Sequence, residues 1–232
     1  MTVTEKDTGL LRGGIILINK PYGWTSFDAV NKVRSVLRKY YGIRKIKVGH
    51  AGTLDPLATG LVIICTGKMT REISRFQMME KEYIADLILG KTTPSFDLET
   101  PVDKEYETSH ITMELIENAL EKFRGDFDQV PPLFSAKFID GKRAYKRARK
   151  GDDIELPATR VSIRELETEH FELPELRLRI SCSKGTYIRS LARDIGREVQ
   201  SGAYLSALQR TRIGDYLLKD AVSPEEFQNK YE

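Results

Sequence analysis

Lys47-Val-Gly-His-Ala-Gly-Thr-Leu-Asp-Pro-Leu-Ala-Thr-Gly-Leu61, running on into Val62-Ile-Ile-Cys-Thr-Gly67, is the stretch on which the reading of this chain turns. It holds one carboxylate (Asp55), one imidazole (His50) and three glycines (Gly49, Gly52 and Gly60) ahead of an apolar run. Pro56 pushes Asp55 away from helical dihedrals toward an extended conformation. The glycines permit backbone shapes and close approaches that other residues cannot make. A lone carboxylate on a tight loop before a buried strand suits a reactive group. It equally suits an ordinary Asp-Pro turn, and the stretch alone does not choose.

Working outward, Gly14-Ile-Ile-Leu-Ile-Asn19 reads as a buried strand and Lys20-Pro-Tyr-Gly-Trp24 as a turn. Thr25-Ser-Phe-Asp28 fits a capping box. Phe27, Val30, Val33, Leu37 and Tyr40 then give the apolar face of a helix that Gly42 ends. Leu61–Cys65 is a second buried strand, and Met69–Gln77 a short helix. Glu82–Leu89 alternates as a strand, and Thr112–Arg124 is an amphipathic helix. Leu133–Ile139 reads as a strand with a turn at Asp140-Gly141, followed by a basic helix to Gly151. Leu176, Leu178, Ile180 and Cys182 alternate with Arg177, Arg179 and Ser181, so one face is buried and one wet. A helix follows Ser183-Lys-Gly-Thr-Tyr-Ile-Arg189, then strand again over Ala203–Leu218, and Ser223 starts a last helix. Strands in clusters with interleaved helices predict an α+β fold with a mixed, mainly antiparallel central sheet flanked by helices. Residues 1–13 read as a flexible N-terminus, 14–213 as one domain and 214–232 as a short tail.

Composition limits the function. The 232 residues are 40% hydrophobic and 31% charged, as in a soluble globular protein. Apolar runs fall far short of the roughly 20 residues that span a bilayer. The N-terminus lacks a basic segment followed by an apolar one, so a cytoplasmic location without a membrane is expected. Cys65 and Cys182 read as reduced core thiols, and His50, His110 and His170 are scattered, so no structural metal is expected.

The net charge of +3 is mild, but its distribution is not. Six cations fall within Lys142–Lys150, among them Lys142, Arg143, Lys146 and Arg147, and five within Arg38–Lys47. Arg210 and Arg212 add a smaller group. Cations interleaved with tyrosines suit an RNA or DNA backbone and its bases, and they also suit a solvated helix face.

Several familiar sites are missing. There is no Gly-x-Ser-x-Gly elbow, no phosphate-binding Gly-x-x-x-x-Gly-Lys-Ser/Thr loop and no dinucleotide fingerprint after the first strand. A glycosidase needs two carboxylates, and the Asp55 loop has one. What remains is a single aspartate near cations. A carboxylate nucleophile must be ionised, and a neighbouring guanidinium holds it so. Arg189 is a candidate, with a surface arginine as the alternative. Tyr83 could stack on a base, with core packing as the alternative.

Gly49-His-Ala-Gly-Thr-Leu-Asp-Pro-Leu-Ala-Thr-Gly60 resembles the catalytic signature of the TruB family, tRNA pseudouridine-55 synthases that act on the T arm. Ile18-Asn-Lys-Pro21 with Trp24-Thr-Ser26 resembles the family's opening strand and turn, and Lys81-Glu-Tyr83 its base-stacking tyrosine segment. Phe134-Ser-Ala-Lys137, Gly141–Tyr145 and Ala148–Gly151 resemble its central hairpin and basic helix. Cys182–Ser190 and Ala207–Thr211 resemble its second core motif and closing segment.

The resemblance implies a pseudouridine synthase fold with no cofactor and tRNA as partner. Asp55 would be the nucleophile, Tyr83 would stack on the flipped uracil and Arg189 would pair with Asp55. His50 would contact the RNA, Tyr187 and Leu208 would line the pocket, and Lys20 would be structural or backbone-contacting. Two departures stand out. Gly90–Asp97 matches an acid-rich family loop only at Thr93 and Asp97, and the residues after Arg212 are too few for the RNA-binding PUA domain that ends many members. A monomer is expected. A non-catalytic RNA-binding or tRNA-folding protein on the same fold, and an aspartyl-phosphate hydrolase needing a second acid and Mg²⁺, are the competing readings.

Overall fold

The computed structural model describes residues 9–134, 138–139, 142–143 and 156–232, the two short internal pieces by backbone alone. In chain order the main elements are α1 (Gly9–Arg12), β1 (Ile15–Lys20), α2 (Ser26–Tyr41), β2 (Val48–His50), β3 (Thr59–Thr66), α3 (Ile73–Met78), β4 (Lys81–Leu89), α4 (Met113–Glu121), β5 (Gly125–Gln129), β6 (Thr159–Glu172), β7 (Glu175–Cys182), α5 (Ile188–Glu198), β8 (Ala203–Ile213) and α6 (Pro224–Tyr231). This is the expected mixed α+β fold with a central, mostly antiparallel sheet and flanking helices. None of its described helices is long and apolar enough to cross a membrane.

The chain divides into two compact units, one of Met1–Glu82 with Gln209–Glu232 and one of Tyr83–Leu208. In the first, β3 is central. It pairs antiparallel with β1 and β2, and parallel with the end of β8. Every β3 residue from Gly60 to Thr66 is buried, as its near-continuous apolar run predicts. Thr25 and Asp28 form the expected capping box on α2, and Gly42 ends that helix in a left-handed conformation. The buried face of α2 is Ala29, Val30, Val33, Val36 and Leu37, whereas Phe27, expected on that face, is 57% exposed. Phe27 lies in the first turn, and the Arg34 guanidinium covers its ring at 5.7 Å. On the other side Tyr231 of α6 meets Tyr40 edge-on at 5.1 Å. Gly9–Arg12, expected to be frayed, form a helical turn, and the Thr66 hydroxyl donates to Leu10 O at 2.6 Å.

In the second unit the order is β8, β4, β7, β6, β5. β4 buries alternate residues, Tyr83, Ala85, Leu87 and Leu89 among them, as its period of two predicts. The long β6–β7 hairpin and helices α4 and α5 supply most of the remaining core. Lys142-Arg143 are a two-residue strand paired with Phe138-Ile139, not the start of a helix. The turn at Asp140-Gly141 and the rest of the expected basic helix lie outside the described residues.

Candidate active site

The Asp55 loop joins β2 to β3, and one row of the sheet sets its shape. Lys20 of β1 and Arg210 of β8 both stand in register with Gly60, on either side of it. Gly60 has φ +106°, and a β-carbon there would lie 2.4 Å from the Arg210 carbonyl oxygen and 2.8 Å from its nitrogen. Only glycine fits, so the parallel strand passes at close range and delivers its arginine beneath the loop.

Arg210 is 1% exposed. Its Nε donates to Leu61 O at 2.7 Å, and its two terminal nitrogens donate to Thr53 O at 3.3 Å and Gly52 O at 3.4 Å. Lys20 is fully buried, and its ammonium donates to Trp24 O at 2.6 Å, Pro21 O at 3.0 Å and Pro56 O at 3.4 Å. Three ammonium protons therefore meet three carbonyls. Gly23 N adds a bond to Pro56 O at 2.9 Å. The Ser26 hydroxyl accepts from Leu54 N at 2.8 Å and donates to Leu54 O at 3.2 Å. Main-chain carbonyls on both sides of Asp55 are thus tied to buried donors, which fixes where a half-exposed carboxylate sits.

Electrostatics follow from this burial. Lys20 is pushed down to about 8, chiefly by desolvation and further by Arg210, with Asp55 and Asp28 pulling the other way. His50 is also pushed down, by burial first and by Arg210, against the pull of the Gly52 carbonyl. Burial thus favours its neutral form, and its buried Nδ1 has no hydrogen-bond partner among the described residues. Cys65, on β3, is pushed up to about 11 by burial, and both cysteines are buried and outside any disulfide. A thiol so placed is inert packing.

The second unit holds the other residues expected at the site. Tyr83 and Leu208 are each 9% exposed, on β4 and β8. Tyr187 precedes α5, where the Gln129 side chain accepts from its N–H at 2.8 Å and donates to its carbonyl at 3.1 Å. Arg189 is 5% exposed, which excludes the surface reading. Its Nε lies 3.5 Å from Asp97 Oδ2, and its terminal nitrogens donate to Ser95 O at 3.3 Å and Phe134 O at 3.0 Å.

The structure thus brings Lys20, His50 and Asp55 together in the first unit, and seats Tyr83, Tyr187, Arg189 and Leu208 in the second. Of the four expected RNA-backbone cations, Lys142 and Arg143 lie on the two-residue strand, and Lys146 and Arg147 lie outside the described residues. Arg210 and Arg212, a small cation group in the sequence, have different fates in the structure. Arg210 is buried under the loop, and Arg212 pairs with Glu80 at 3.1 Å and Glu82 at 3.6 Å. Sequence reasoning missed Ser26, Asp97, Gln129 and Arg210 as supports of the site. Asp97 stood out only as one of two family-like positions in its loop, and Ser26 only as part of Trp24-Thr-Ser26.

Residues 38–188 match the family model described as TruB family pseudouridylate synthase, N-terminal domain. The chain is 57% identical to a protein named tRNA pseudouridine synthase B from Phocaeicola vulgatus, over 93% of this chain and 92% of that one. It is 45% identical to one of the same name from Chloroherpeton thalassium, over 94% and 90%. Among solved structures it is similar in fold to a chain of a Cbf5-Nop10-Gar1 complex, with TM-score 0.70 at 24% identity. It is likewise similar to a chain of an H/ACA RNP bound to a substrate RNA containing 2'-deoxyuridine, with TM-score 0.68 at 23% identity. It covers 96% of its own length in both alignments, but only 55% and 54% of those longer chains.

Proposed function

Because the chain belongs to the TruB family of pseudouridylate synthases, we propose that it isomerises the T-loop uridine, position 55 of tRNA, with Asp55 as nucleophile. The relatives covering nine-tenths of the chain carry the name tRNA pseudouridine synthase B, which supports tRNA as the substrate. The observation that carries the assignment of the nucleophile is the clamped loop. Lys20, Arg210 and Ser26 hold the peptide groups around Asp55 while its carboxylate stays half-exposed.

The reaction breaks the bond between uracil N1 and the ribose, turns the base, and joins its C5 to the same ribose carbon. The C5 proton leaves and a proton is taken up at N1. No electron enters or leaves the nucleotide, so the reaction needs no redox cofactor. The base must first leave its stack to be reached. Tyr83, already held in place on β4, stacks on it, which offsets part of the extrusion by about 1–3 kcal/mol. Arg189 pairs with the nucleophile, His50 contacts the RNA, and Tyr187 and Leu208 line the pocket. Lys142, Arg143, Lys146 and Arg147 contact the RNA backbone. The enzyme works as a cytoplasmic monomer on the T arm.

Incubation with unmodified tRNA transcript and mapping of pseudouridine tests this. Product at the T-loop uridine is expected, and product confined to other positions would refute the substrate. Asp55→Asn is expected to abolish product while RNA binding persists, and turnover by that variant would remove Asp55 from its role.

A further inference from the structure

A second feature of the first unit has no part in that chemistry. A cleft of about 340 Å³ opens between α1, the loop before β2 and the 3-10 turn Gly67–Glu72. Arg12, Lys45, Lys47, Lys68 and Arg71 line it, one or more from each wall, and no acidic residue among those described does. All five are exposed, and none of their side chains makes a hydrogen bond or ion pair with another described residue. Elsewhere in this unit Lys39 pairs with Glu232, and the half-buried Arg34 bonds to Asn31 and Val48 O.

Five like charges around one cleft repel each other and are stable only because water and salt screen them. A polyanion fits such a wall better than any neutral ligand, since each bound phosphate releases the salt ions that screen the cations. The cleft is also placed to be useful. Lys47 O accepts from Gly67 N at 2.9 Å, which closes the cleft floor, and Lys47 runs directly into β2. At about 3.3 Å per residue, His50 at the far end of that strand is about 10 Å away.

We propose that this cleft is a docking groove for the phosphodiester backbone of the substrate RNA, on the strand that leaves the Asp55 site past His50. The proposal rests on the RNA-modifying reading and adds a binding surface that includes the N-terminal helix. Leu10, through its carbonyl bond to Thr66, anchors that helix so that Arg12 stands at the cleft.

The test is the salt dependence of binding, read by fluorescence anisotropy with an unmodified T-arm hairpin RNA. The variants are the double substitution Lys45→Gln with Lys68→Gln, a charge-keeping double with arginine at both positions, and a control double, Lys219→Gln with Lys230→Gln. The slope of log affinity against log salt is expected to become shallower by about 1.5 for the cleft double, given roughly 0.7–0.9 per phosphate contact. Affinity at moderate salt should drop about tenfold. The arginine double and the control double should both match the parent chain. A cleft double with the parent's slope overturns the proposal, and so does a control double that loses as much. Pseudouridine mapping on the same samples separates the two readings. Cleft-dependent binding without T-loop product would remove the proposed reaction and leave the groove standing.

Discussion

The two halves of the expected site solve the problem of a buried cation in opposite ways. Under the Asp55 loop, Lys20 and Arg210 give their protons to six main-chain carbonyls, from Pro21, Gly52, Thr53, Trp24, Pro56 and Leu61. In the second unit, Arg189 faces a buried carboxylate, Asp97, and donates to the Ser95 and Phe134 carbonyls. Carbonyls do not move independently of the chain, so the first arrangement turns charge into backbone shape. A carboxylate neutralises charge and leaves the backbone less constrained. The loop proposed to present a nucleophile uses the first device.

The largest expected contrast lies in the glycines of the two units. Gly60→Ala drives a β-carbon into the Arg210 backbone and should cost more than about 4 kcal/mol. Gly185→Ala, at φ +88° with open space around it, should cost only the left-handed penalty of about 1–2 kcal/mol. Denaturant titrations giving equal losses would break the comparison at its root.

Next come the arginines. Arg189→Met strands a buried carboxylate and two carbonyls and should cost about 3–5 kcal/mol, the carboxylate's share of it recovered when Asp97→Leu is added. Arg210→Met strands three carbonyls, each a loss of about 1–3 kcal/mol, and no second side-chain change can repair it. In turnover assays it should also lower kcat about 100-fold, because the loop shifts relative to the uridine.

The lysine adds a pH test of the same idea. Its folded value, about 8, lies below the ordinary 10.5. Below pH 8 both folded and unfolded chains are protonated there, and the site contributes no slope. Between about 8 and 10.5 the unfolded chain holds the extra proton, so this site makes stability rise with pH, by up to about 3 kcal/mol. Activity should fall across the same window, since a neutral amine has too few protons for three carbonyls. Melting curves and rates measured together should diverge, and Lys20→Met should flatten the stability slope.

The smallest effect sharpens the boundary between core and surface. Phe27→Ser should change stability by less than about 0.5 kcal/mol, against about 2–5 kcal/mol for Leu37→Ala on the buried face of the same helix.

Much of this was legible beforehand because it depends on local pattern. The period of two in β4, the capping box of α2 and the Gly-Pro-Asp character of the Asp55 loop depend only on near neighbours. The supports were not legible, because they depend on distant register. Arg210 and Arg212 look alike in sequence, yet one lies beneath a loop and the other pairs with Glu80 and Glu82. Only the pairing of β8 with β3 assigns those fates. Phe27 misled for another reason. It stands three residues before Val30, but at about 100° per residue it falls outside the arc shared by the buried Ser26, Ala29, Val30 and Val33.

The first unit is made of the beginning and the end of the chain, with the second unit between them. The ribosome therefore delivers Asp55 long before it delivers Arg210. At about 5–20 residues per second, the interval is on the order of ten seconds. During that time the carboxylate hangs on a loop whose guanidinium floor has not been synthesised. The proposed site is thus completed late in synthesis, and nascent chains carry the Asp55 loop before its buried support exists.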